Sequence, residues 1–207
     1  MIFLKMESRI LCQIISIILC FKSKPMETII SILRGINLGS HNKIPMPELK
    51  ALYEKAGFKK VATYIQSGNV VFGADKPDMN SLPEKIQQFI FKKYGFNVPV
   101  IVRTVDEMQS VIDTNPMLKN KKIDIEKLHV TFLSDKPQKE YLEKIAAYQY
   151  KPDEYIIGGK EVFVCCPNGY GNTKLSNTFF ENKLKVTATT RNWRTVNELL
   201  KMGLASN

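Results

Sequence analysis

The sequence of 207 residues predicts an α+β protein of two halves, each running strand, helix, strand, strand, helix, strand, with one more helix at the C-terminus. Three observations predict it. Short β-branched apolar runs alternate with segments of helical period, tight glycine turns join pairs of those runs, and the element order seen between residues 27 and 103 recurs after residue 127.

Taken in order, TIISIL from Thr28 is a buried strand ending at Arg34. Pro45 and Pro47 mark a helix start, and PELKALYEKAGF sets Leu49, Leu52, Tyr53 and Ala56 on one face before Gly57 stops it. VATYIQ is a strand, Ser67 and Gly68 form a tight turn, and NVVFG returns. Ser81 is placed to cap a second helix, with Pro83 in its first turn and Ile86, Phe89 and Ile90 as its stripe up to Gly95. VPVIVR closes residues 26–103 as a ferredoxin-like (βαββαβ) unit: an antiparallel sheet with helices on one face.

Residues 104–126 form a connector in which VDEMQSVID is helical, Asn115 and Pro116 break it, and KNKKIDIEK is a charged link. The second ferredoxin-like half takes residues 127–207. Its elements are strand LHVTFLS, helix KPQKEYLEKIAAYQ, hairpin DEYIIGG/KEVFVCC turning at Gly158 and Gly159, helix SNTFFENKL and strand TATT. NWRTVNELLKMGL adds the terminal helix, capped by Asn192, with Trp193, Val196, Leu199 and Leu200 as its packing stripe.

Thirty Lys and Arg face twenty Asp and Glu, a formal charge of +10, which favours an anionic small molecule or nucleic acid as partner. Cys12, Cys20, Cys165 and Cys166 show no zinc spacing with His41 or His129, so no metal is expected, and no cofactor motif is present. The adjacent Cys165 and Cys166 point to opposite faces of a strand, one expected buried and the other near a surface. Residues 1–25 hold a 12-residue apolar run, Ile10 to Phe21, too short for a span of about 20 residues. We read them as an extension outside the fold, with Met26 as the start and a cytoplasmic protein. The alternative is a targeting segment that tethers or exports it.

The loop LRGINLGSHNK follows the first strand, where backbone N–H groups can hold an anion. Gly35 and Gly39 enclose three residues, which fits neither a phosphate loop nor a dinucleotide fingerprint. The candidate ligand-binding residues are Arg34, Gly35, Asn37, Gly39, Asn42 and Lys43, beside His41. The competing reading has the glycines in left-handed turns and the asparagines bonded to their own backbone. Gln66, Ser67 and Asn69 at the hairpin, and Lys174, Arg191 and Asn192 near the only tryptophan, complete the set. Against the last group stands a reading in which Trp193 packs and Arg191 and Arg194 are solvated. His129 alternates with Leu128, Val130 and Phe132 and reads as structural. No catalytic set is recognisable, so the catalytic residues are unknown.

The segments LRGINLGSHNKIPM, GFKKVATYIQSGNVVF, LHVTFL and YGNTKLSNTFFENKLKVTATTRNWRTVNELL together resemble a bacterial family, domain of unknown function 1697. The resemblance runs from Met26 to the C-terminus and implies a two-part α+β protein, but no reaction. The expected activity is binding of a phosphate-bearing or other anionic ligand in a cleft between the halves. Nucleic-acid binding through basic loops and a small-molecule enzyme are the alternatives.

Overall fold

The computed structural model describes residues 26–39 and 41–206, so the expectation for residues 1–25 lies outside the described residues. The first half comprises β1 (Glu27–Leu33), α1 (Met46–Lys55), β2 (Lys59–Tyr64), β3 (Asn69–Ala74), α2 (Leu82–Tyr94) and β4 (Val100–Thr104). The connector helix α3 (Val105–Asp113) follows directly. The second half comprises β5 (Leu128–Leu133), α4 (Lys139–Ile145), β6 (Glu154–Gly158), β7 (Glu161–Cys165), α5 (Asn177–Leu184) and β8 (Ala188–Asn192), then the terminal helix α6 (Trp193–Ser206). The sheets are antiparallel with orders β2-β3-β1-β4 and β6-β7-β5-β8, so both halves share the ferredoxin-like topology.

Alternation along the central strands divides the interior into three layers. Ile29, Leu33, Val70 and Phe72 pack beneath α1 and α2, and Leu133, Val162 and Val164 pack beneath α4 and α5. The opposite residues, Ile30, Ile32 and Val71 in one sheet and Val130, Phe132 and Phe163 in the other, join α3 and α6 in a shared middle core. The central strands of each sheet are therefore buried on both faces. This changes the expectation for the adjacent cysteines: Cys165 lies in the middle core and Cys166 under the second half's helices, and neither is near a surface.

Two local expectations also shift. Ser81 does not cap α2; its hydroxyl donates to the Asp78 carboxylate at 2.6 Å. Helix α4 stops at Ile145 rather than running to Gln149, because the Tyr155 hydroxyl donates to the carbonyls of Ile145 and Tyr148, at 2.7 and 3.0 Å. The connector helix forms over VDEMQSVID, fixed by a capping box between Thr104 and Glu107.

α6 crosses α3 closely at Gly203, where an added Cβ would lie 2.9 Å from Val105 Cγ2 and 3.4 Å from Ile30 Cδ1. Alanine gains helix propensity of ~1 kcal/mol but overpacks the core by roughly 1–3 kcal/mol. Gly203→Ala is expected to lower stability by about 1 kcal/mol on balance, measurable by urea denaturation.

Candidate functional site

The two halves are locked by a pair of arginines in equivalent places. Arg191, on β8 opposite Val130, reaches into the first half. Its Nε donates to Asn69 Oδ1 at 2.6 Å, and its Nη2 donates to the carbonyls of Leu33 and Ser67, each at 2.7 Å. Nη1 donates to Thr190 O and Thr189 Oγ1. All five guanidinium N–H groups thus meet protein acceptors. Arg103, on β4 opposite Ile30, does the reverse: Nε to Glu161, Nη2 to the carbonyls of Leu133 and Lys160, Nη1 to Val102 O. In each case the last strand of one half holds the end of the first strand and the hairpin of the other. Burial pulls the Arg191 guanidinium down to about 10, which still leaves it charged at neutral pH.

Around Arg191 lies a polar cluster that no sequence motif marks. Arg34 pairs with Glu181 on α5, whose Oε1 also accepts the Ala188 N–H at 3.0 Å. The Tyr170 hydroxyl donates to Thr190 Oγ1 at 2.8 Å, and Thr190 donates to Asn177 Oδ1 at 2.6 Å. Thr131 Oγ1 lies 2.7 Å from Thr190 Oγ1 and, with Thr190's one hydrogen given to Asn177, is the donor there. The Tyr170 ring stacks on His129 with centroids 4.7 Å apart. Burial pushes the Tyr170 hydroxyl up, with Thr190, Arg34 and Arg191 opposing, and pulls His129 down. His129 is therefore a neutral, stacked ring at pH 7.

The loop after β1 is held by its own side chains. Asn37 Nδ2 donates to the carbonyls of Ile44 and Gln66 while its Oδ1 accepts the Ile44 N–H, each at 2.9 Å, and Asn42 Nδ2 donates to Gly35 O at 3.3 Å. Gly35, Asn37, Gly39 and Asn42 all have positive φ, from +49° to +72°, as the turn-chemistry reading requires. His41 and Lys43 stand exposed on this frame.

A cleft of about 540 Å³ lies between the halves on the Arg103 side, lined by Pro83, Glu84, Arg103, Ser134, Lys160 and Thr187. None of the sequence candidates lines it. On their own side, the place equivalent to Ser134 is taken by Arg34 and its partner Glu181. Among the described residues no group of three His, Cys, Asp or Glu side chains is placed to hold a metal. No helix among them is long and apolar enough to cross a membrane.

A family model described as "Protein of unknown function (DUF1697)" matches residues 26–163, about two thirds of the chain. The chain belongs to the DUF1697 family. The conserved bacterial protein SP0830 from Streptococcus pneumoniae has a similar structure, with a TM-score of 0.67 and 21% identity over 87% of this chain and 99% of that one. That likeness shows the fold. No curated protein matches the chain.

In this DUF1697 chain, Arg34, Ser67, Asn69 and Arg191 come together at the seam, and Gly35, Asn37, Gly39, Asn42, Lys43 and Gln66 surround the adjoining loop. Lys174 lies apart, 5.6 Å over the Tyr150 ring, and Asn192 caps α6 by accepting the Thr195 N–H at 2.8 Å. Trp193 packs in the middle core, as read, but Arg191 beside it is buried rather than solvated. The sequence reading passed over Tyr170, Asn177, Glu181, Thr131, Thr190 and Arg103. Two signals mark some of them: polar His129 and Thr131 alternate with apolar residues in LHVTFL, and an arginine is the last residue but one in the final strand of both halves.

Proposed function

We propose that this protein binds a small anionic molecule, foremost a phosphate-bearing one, at the loop between β1 and α1. The observation that carries the reading is the loop's frame: Asn37 and Asn42 hold a backbone with four left-handed residues while His41 and Lys43 stay exposed. Turns of this kind direct backbone N–H groups to one side, where an anion is favoured. Arg34, Asn69 and Arg191 support the loop from below, since their polar groups already bind the opposite half or the hairpin. Free Cys165 and Cys166 suit the reducing, cytoplasmic setting we assign to it.

Nucleic acid is the weaker reading, because the central strands of both sheets, where bases would stack, are buried on both faces. Isothermal titration with inorganic phosphate, nucleoside phosphates and dicarboxylates tests the proposal. Lys43→Ala is expected to weaken the best ligand about fivefold, ~1 kcal/mol for an exposed charged contact, with further loss on adding salt. Absence of binding by every compound, or binding indifferent to both Lys43→Ala and His41→Ala, refutes it. An oligonucleotide that binds far tighter than its mononucleotides favours nucleic acid instead.

A further inference from the structure

Two four-stranded sheets present four edge strands: β2, β4, β6 and β8. An unguarded edge is a template for another strand, and folded proteins blunt it with lysines, bulges or covering groups. β2 carries Lys59 and Lys60, Lys60 at φ +49°, and a register shift between Lys59 and Ala62. On β4 and β8 the locking arginines cover the edge, because Arg103 and Arg191 each donate to the carbonyl of the residue before them, Val102 and Thr190, at 2.8 Å. β6 has none of these devices. Its sequence is EYIIG, with Ile156 43% exposed.

The register shows which groups of β6 are open. Leu133 N–H bonds Lys160 O and Cys166 N–H bonds Lys127 O, so the even-numbered residues of β7 turn toward β5. The odd-numbered ones turn toward β6 and meet Gly158, Ile156 and Glu154. Tyr155 and Ile157 therefore direct N–H and C=O outward, where no described residue meets them. Open space flanks both faces of the strand. A cavity of about 690 Å³ lies beside α4, lined by Leu142, Ile145 and Tyr155, and one of about 470 Å³ lies beside α3, lined by Val111, Pro116 and Phe163. An incoming strand alternates its side chains between two such faces.

We propose that β6 docks a second copy of this chain, pairing antiparallel with the same strand across a two-fold axis at Ile156. The charge pattern selects this occupant. Before the strand's apolar centre Asp153 and Glu154 outweigh Lys151, and after it Lys160 stands beside a Glu161 already paired with Arg103, so antiparallel self-pairing sets the net acidic end of each strand against the net basic end of the other. Ile156 then faces Ile156, and Tyr155 exchanges hydrogen bonds with Ile157 of the second copy at two equivalent places. The contact is isologous, as closed dimers require.

Sedimentation velocity on the full chain, from micromolar to millimolar concentration, is expected to show a monomer–dimer equilibrium. Ile156→Lys sets two like charges face to face on the axis and is expected to raise the dissociation constant about tenfold or more. Glu154→Lys is expected to weaken the dimer and Glu154→Lys/Lys160→Glu to restore it, a rescue that damage to the fold would not give. Amide exchange at Tyr155 and Ile157 should slow as concentration rises. A monomer at every concentration, or a dimer indifferent to Ile156→Lys and to the charge exchange, overturns the proposal. A monomer that instead takes up an added hydrophobic peptide at this edge also overturns it, in favour of a foreign strand.

Discussion

Arg191→Leu is expected to lower the free energy of unfolding by about 4 kcal/mol, a large part of the roughly 5–15 kcal/mol that holds a protein folded. The substitution removes no apolar packing of comparable size. What it removes is every donor to Asn69 Oδ1, Leu33 O and Ser67 O, three acceptors on three segments of the first half, and to Thr190 O. A buried acceptor left without its donor costs ~1 kcal/mol or more; Asn69 Oδ1 and Leu33 O are left buried, and Ser67 O and Thr190 O part-buried. Arg191→Lys is expected to recover little, since one ammonium with three donors cannot span the strand end, the hairpin turn and Asn69 as the planar fork does. Urea denaturation followed by circular dichroism measures both variants. A loss below about 1 kcal/mol in Arg191→Leu would mean that the seam is held by apolar packing and the arginine is incidental.

Gly68→Ala is expected to be nearly as damaging, for a steric reason at the same seam. Gly68 has φ +78°, and an added Cβ would lie 2.8 Å from both Leu33 Cβ and Ile36 Cδ1. The left-handed conformation costs a residue with a Cβ roughly 1–2 kcal/mol, and overpacking adds roughly 1–3 kcal/mol. The sum of about 3 kcal/mol corresponds to a fall in Tm of about 10 °C for a chain of this size. Gly35→Ala separates the two causes. Gly35 has φ +72° but nothing within 4 Å of its added Cβ, so only the conformational part remains. Equal falls in Tm for the two variants would show that the close approach to Leu33 and Ile36 relaxes freely.

Most of the fold was legible because its signals are local. The connector helix is the clearest case: Thr104 and Glu107 close its start, and Asn115–Pro116 ends it, all within the same short stretch. The loop after β1 was equally readable, since Asn and Gly at left-handed positions act on neighbours a few residues away. Where the reading fell short, a distant residue decides. Helix α4 ends early because Tyr155, ten residues on, takes the Ile145 carbonyl. The strand alternation of Cys165 and Cys166 was right in direction, yet whether a face is solvated depends on the other half of the chain.

The candidate site suffered most from this. Arg34 and Arg191 look alike in sequence, each a cation beside a strand end. The fold gives Arg34 to Glu181 and Arg191 to three segments of the other half, over separations of 147 and up to 158 residues. Tyr170, Asn177 and Thr190 share hydrogen bonds although they sit on a turn, a helix and a strand. Periodicity reports which face a residue takes, and it carries no information on which element will cover that face.

The reciprocal placement of Arg103 and Arg191 has a consequence for the newborn chain. As it leaves the ribosome, its first half completes a sheet while the carbonyls of Leu33 and Ser67 still lack their donor, which arrives only with the last strand. Arg103 meanwhile waits for Leu133 and Lys160. The first half therefore reaches its final hydrogen bonding only when residue 191 is free to fold back, so the last strand is what closes the seam. A chain arrested before that point carries a complete first sheet, a second sheet without its β8 edge, and an open seam between them.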